Sequence, residues 1–142
     1  CIVGCGAIGL QIASRLSFGQ QAVVSGIARG AKLEALRQGA TLLSQQASHT
    51  FKFAHVSENP AEVSEKGLDA VVVAVKSNQL ESVAGLLSAL LKGADAQIPV
   101  FFAINGIPWY YFHCHGGPRD GERLPLLDPH GQLAEIVGPE RA

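Results

Sequence analysis

Two patterns of apolar residues alternate along the 142-residue chain. Short apolar runs recur at Ile2-Val3, Ala22 to Ile27, Asp69 to Val75 and Pro99 to Ile104. Runs of this kind, rich in β-branched residues, predict strands buried on both faces, as in a parallel sheet. Between them apolar residues return every three or four positions. Ile8, Ile12 and Leu16, with Ala13 beside them, predict a helix from about Ala7 to Phe18, ended by Gly19. Leu33 and Leu36 mark a short helix from Ala31 to Gln38, closed by Gly39. The stripe Leu80, Val83, Leu86, Leu87, Leu90 and Leu91 predicts a third over Ser77–Leu91. Thr50 to His55 alternates like a strand, with Thr41-Leu42-Leu43 as its partner or in a loop. Leu124–Leu127 and Gln132–Val137 read as a hairpin around Asp128-Pro129-His130-Gly131. Strands alternating with helices specify an α/β fold. The expected architecture is a doubly wound, mostly parallel sheet with helices on both faces, one domain over residues 1–142.

The first strand and first helix are joined by Gly4-Cys5-Gly6-Ala7-Ile8-Gly9, a Gly-x-Gly-x-x-Gly spacing. In a βαβ unit Gly4 allows the tight turn, Gly6 leaves room for a pyrophosphate, and Gly9 lets the helix pack closely on the strand. The phosphates then meet the unpaired N–H groups and positive dipole end of the helix, so a dinucleotide is expected. Arg29 follows the second strand, with Lys32 nearby and no Asp or Glu between the fingerprint and Glu34. An NAD site carries an acid near this point to bind the ribose hydroxyls, whereas a guanidinium suits the extra 2′-phosphate. NADP(H) is therefore the expected cofactor. The competing reading of Arg29 is a solvated loop cation.

Composition narrows the partners. Charged residues make up 16% and hydrophobic residues 47%, which fits a sheet covered on both sides, or surface that a neighbouring domain covers. A net charge of −1 supplies no field for nucleic acid or an anionic membrane, and no apolar stretch approaches a membrane span. With no signal peptide visible, a cytoplasmic protein is expected. Cys1, Cys5 and Cys114 read as reduced thiols, Cys5 as packing in the glycine loop. His113-Cys114-His115 lacks the spacing of a metal site, and no metal is expected. The first strand is short and methionine is absent, so the start of the natural protein is expected to lie upstream.

In open parallel sheets ligands bind outside the carboxyl ends of the strands. Gly4 to Gly9, Arg29, Lys76 and Asn105 all follow predicted strands at that edge. Taken singly, Lys76 also reads as a snorkelling lysine and Asn105 as an Asn-Gly turn. Together, Gly4 to Gly9, Lys76-Ser77-Asn78-Gln79 and Asn105-Gly106-Ile107-Pro108-Trp109-Tyr110-Tyr111-Phe112 resemble the 2-dehydropantoate 2-reductase, or ketopantoate reductase, family. Ile27-Ala28-Arg29-Gly30 and Gly138-Pro139-Glu140-Arg141 extend the similarity. The resemblance implies a Rossmann-type domain that binds NADPH, and a helical C-terminal domain, outside this chain, that closes over a 2-keto acid. It implies that Gly6, Ala7, Ile8 and Gly9 hold the pyrophosphate and Arg29 the 2′-phosphate. Gln79 then lies near the cofactor, and Lys76 and Asn105 near nicotinamide and substrate. The proton donor for the developing alkoxide is expected from the second domain, in cis, and a homodimer is the other expected assembly. The rival readings are a related 2-keto acid reductase or 2-hydroxy acid dehydrogenase, and a non-catalytic NADPH-binding module.

Overall fold

The computed structural model describes residues 1–20, 22–43, 48–95 and 97–142. Five short strands build its central sheet: β1 (Ile2–Val3), β2 (Ser25–Ile27), β5 (His55–Ser57), β6 (Val71–Val73) and β7 (Val100–Phe102). All pair in parallel, in the order β5-β2-β1-β6-β7. A separate antiparallel pair, β3 (Ala40–Leu43) and β4 (Ser48–Phe51), realises the pairing of Thr41–Leu43 that the sequence left open. From β1 the chain winds outward through β2 to β5, then crosses back to β6 on the other side of β1. The crevice between the carboxyl ends of β1 and β6 is thus the point where strand order reverses, the usual ligand position in such sheets.

Both faces of the sheet are covered. On one side α1 (Ala7–Ser17) and α2 (Gly30–Gln38) close a cluster of Ile2, Ala13, Val24, Leu33, Leu36, Phe51 and Phe53. On the other, α3 (Pro60–Ser64), α4 (Ala84–Leu91) and α5 (Gln132–Ile136) close a larger one, with Val63, Val71, Leu87, Leu90, Val100, Leu133 and Val137 at its centre. Two-sided burial explains the apolar strands and much of the low charge content. Phe101, Ile107 and Leu126 nevertheless stand exposed.

Four expectations need correction. β2, β6 and β7 are shorter than the apolar runs Ala22–Ile27, Asp69–Val75 and Pro99–Ile104 that contain them. The stretch predicted as a helix over 77–91 opens as two 3₁₀ turns, Ser77–Gln79 and Glu81–Val83, before α4 begins. Leu80, Val83 and Leu86 recur every third residue, the 3₁₀ period, which the wide stripe concealed. Thr50–His55 is not one strand. β4 ends at Phe51 and β5 starts at His55, while Phe53 between them is buried in the first cluster.

The expected hairpin is replaced by turns and α5. The buried Asp128 carboxylate accepts the backbone N–H groups of Leu133 (3.2 Å) and Ala134 (3.0 Å), satisfying two orphan donors of the first helical turn. Leu133 and Val137, four apart, then face the core together. Leu133 is 1% exposed and Leu126 96%. Leu133→Ala should lower unfolding free energy by about 2–5 kcal/mol, as buried leucine truncations do, while Leu126→Ala shifts it by under ~0.5 kcal/mol. Urea denaturation of the two variants checks this, and equal midpoints would exclude a core role for α5.

Candidate functional site

The glycine loop divides its work among three positions. Gly4 has φ +93°, and a Cβ there would lie 2.8 Å from the Ala74 carbonyl group on β6's side. At Gly9 a Cβ would overlap the Gly4 carbonyl oxygen, so α1 approaches β1 as closely as its backbone allows. Gly6 differs: a Cβ there meets nothing within 4 Å. Its missing side chain leaves open space in front of α1, whose N-terminus has no side-chain cap. Gly6, Ala7 and Ile8 are exposed at that end, and the Gly6 N–H donates back to the Gly4 carbonyl (2.8 Å). This is the arrangement that accommodates a phosphate without basic side chains.

Cys5 does not join them. Its thiol points into the core, donating to the Ile27 carbonyl (3.5 Å) and lying 4.0 Å from that of Ile2. Burial pushes the thiol up to about 11, and nearby Lys32 only partly opposes this. A Cβ on Gly26 would press on both Cys5 Sγ (3.2 Å) and Phe53. The packing role expected of Cys5 is what the structure has, though beneath the loop.

A cleft of about 180 Å³ opens beside the loop at the carboxyl edge of the sheet. Gly4 and Val75 form its floor, Ala28 and Arg29 one wall, and Gln79, Ser82, Val83 and Leu86 the other. Arg29 is exposed at the start of α2, whose first turn contains Lys32 and no acid. The neighbouring carboxylate of Glu62 is engaged by Ser57 Oγ (2.6 Å) and Asn59 Nδ2 (3.4 Å). Gln79 is held in reciprocal fashion: its backbone N–H donates to the Lys76 carbonyl (2.8 Å), and its Oε1 accepts from the Lys76 N–H (3.4 Å). Among the described residues the side-chain amide nitrogen of Gln79 has no hydrogen-bond partner.

Gly4, Arg29 and Gln79 are therefore gathered on one cleft. Lys76 follows Val75 at its rim, exposed, and Asn105 stands exposed beyond β7, outside the cleft lining. Among the described residues neither the Lys76 ammonium nor the Asn105 amide has a hydrogen-bond partner. The sequence offers Val83 and Leu86 as part of an apolar helix stripe and does not single out Ser82. Positions 79, 82, 83 and 86 have the spacing of one helical face, but so does a stripe that fills a core. A wider groove of about 770 Å³ lies at the opposite, amino edge of the sheet, between Val23 and Leu68, and contains none of the expected site residues. His113 Nε2 lies 3.5 Å from Cys114 Sγ, and among the described residues no three His, Cys, Asp or Glu side chains converge on a common point.

A family model described as Ketopantoate reductase PanE/ApbA matches residues 1–109, from the glycine loop through Asn105 to Trp109. The chain belongs to the ketopantoate reductase family. It is 32% identical over 140 residues to a 2-dehydropantoate 2-reductase of Mesorhizobium japonicum, a match covering 99% of this chain and 41% of that protein. A crystal structure from Ralstonia solanacearum MolK2, assigned as a ketopantoate reductase, superposes with a TM-score of 0.82 at 36% identity, over 96% of this chain and 40% of that one. The chain thus spans about two fifths of the length of each ketopantoate reductase it matches. No described helix is long and apolar enough to cross a membrane.

Two measurements follow from the loop. Gly9→Ala forces α1 away from β1 and should cost about 1–3 kcal/mol of stability, whereas Gly6→Ala should leave the urea midpoint near wild type and weaken dinucleotide binding. Cys5 sets a pH limit. Its folded thiol keeps its proton up to about pH 11 while the unfolded thiol loses it near 9, so the unfolded state binds fewer protons and stability falls as pH rises between those values. Comparing unfolding free energies at pH 8 and 10.5, the wild type should lose about 2 kcal/mol more than Cys5→Ala over that interval.

Proposed function

We propose that the protein to which this chain belongs reduces 2-dehydropantoate to pantoate with NADPH, a step toward pantothenate and coenzyme A, and that this chain forms the cofactor half. The observation that carries the reading is the convergence of Gly4, Arg29 and Gln79 on one cleft at the strand-order reversal, in the same glycine loop whose Gly6 leaves open space before α1. The family relationship supports the chemistry.

Each chain residue has a separable task. The loop at Gly6, Ala7 and Ile8 meets the pyrophosphate, and Gly9 holds the helix in place behind it. Arg29 receives the 2′-phosphate by paired, charge-assisted hydrogen bonds, with Lys32 adding positive charge. Gln79 contacts the nucleotide from the facing wall. When bound, NADPH supplies the hydride that reduces the C2 ketone. Lys76 and Asn105, at the ends of adjacent strands β6 and β7, face that reaction from this chain's side. The Asn105 amide orients the substrate's oxygens, and the Lys76 ammonium stabilises negative charge developing on them. The proton for the alkoxide comes from the second domain, which also excludes water from the ketone.

NADPH and NADH titrations of wild type and Arg29→Ala test the cofactor assignment. Wild type should prefer NADPH, and Arg29→Ala should weaken NADPH roughly ten- to hundredfold while NADH changes little. Equal loss for both nucleotides would remove Arg29 from the phosphate. Steady-state assays of Asn105→Ala on 2-dehydropantoate should show a large fall in kcat/KM with NADPH affinity retained. Unchanged kcat/KM would place Asn105 outside the reaction.

A further inference from the structure

The arm that carries Gln79 and Ser82 to the cleft is lightly held. It consists of the 3₁₀ turns Ser77–Gln79 and Glu81–Val83, whose hydrogen-bond geometry is weaker than that of an α-helix. From Ser77 to Ser82 only Leu80 is buried. Beyond the Leu80 anchor and the bonds within the turns, among them Ser82 Oγ to the Gln79 carbonyl (2.7 Å), the arm has only contacts from outside to steady it. His130 Nε2 lies 3.3 Å from Glu81 Oε1, joining the middle of the arm to the turn ahead of α5. That turn is firmly fixed. Asp128 is committed to the N–H groups of Leu133 and Ala134, and Leu133 and Val137 are buried in the same cluster as Leu87 and Leu90 of α4. His130 lies beyond residues 1–109, the stretch matched by the family model.

We propose that His130 is a positioning residue for the cofactor arm. Its contact with Glu81 holds Gln79 and Ser82 toward the cleft. Nucleotide binding is then tighter than in a protein without the imidazole. The inference rests on the nucleotide reading of the cleft. Glu81 is the charged group facing His130 from the arm. On its own side stand Asp128, the Arg123 guanidinium lying against Gly131, and Glu135 in α5. The pair is exposed, with side chains 70% and 57% accessible, so its effect is modest and sensitive to salt.

The experiment compares full-length wild type, His130→Gln, Glu81→Gln and the double variant, with NADPH titrated at low and at high ionic strength. The readout is the ratio of variant to wild-type Kd, in which the salt dependence of phosphate binding itself cancels. The ratio should be roughly two- to fivefold at low ionic strength and fall toward one in high salt, alike for both single variants and the double. A ratio near one at low ionic strength overturns the proposal. Hydrogen exchange over Ser77–Val83 in the nucleotide-free protein, corrected for intrinsic rates, gives an independent readout. Protection should be greater in wild type than in His130→Gln. If NADPH binds no variant while that difference persists, the cofactor reading fails and the positioning of the arm stands. Protection independent of His130 overturns the proposal whether or not NADPH binds.

Discussion

The approach of α1 to β1 through Gly9 and the Gly4 carbonyl is the constraint on which the rest of the molecule depends. It seats the amino end of the first helix directly over the carboxyl end of the central strand, leaving no room for even a methyl group. Once that contact is made, β1 is flanked by β2 and β6, with Val3 opposite Ile27 and Val73. Chain winding then delivers Arg29 and Gln79 to opposite walls of the same crevice. The cleft is a consequence of strand order, and the side chains around it need little individual design.

Burial on both sheet faces does a different job. It holds the strands, three residues or fewer in the central sheet, in register through side chains above and below them. The two apolar clusters share the sheet, so Val3 belongs to one and its neighbour Ile2 to the other. A rigid base with short loops at one edge suits a ligand that needs fixed backbone positions.

The strand and helix alternation was legible because buried parallel strands appear as unbroken apolar runs, and Asp69–Val75 contains one without interruption. β5 and α3 were not legible. His55-Val56-Ser57 has one apolar residue and becomes a strand by pairing with β2, and the five residues of α3 show no complete apolar period. Asn59, whose side chain accepts the Ala61 N–H at 3.1 Å, and Pro60 after it were the local evidence for that helix. At the site, the glycine loop could be read from sequence because its chemistry is backbone chemistry. Ser82, Val83 and Leu86 could not, since apolar residues that line a cleft and those that fill a core share one spacing. The hairpin expected around Asp128 failed because a side-chain carboxylate can start a helix where the turn residues alone suggest a reversal.

The glycine fingerprint is therefore two messages written in one alphabet. Gly9 answers to the fold and Gly6 to whatever occupies the space before α1, so selection acts on them through different losses. A descendant that lost the ligand of that space would be free to change position 6 while still bound to glycine at position 9. Among related sequences, a bulkier residue at the sixth position with glycine kept at the ninth would mark a domain that retains its architecture after its ligand has gone.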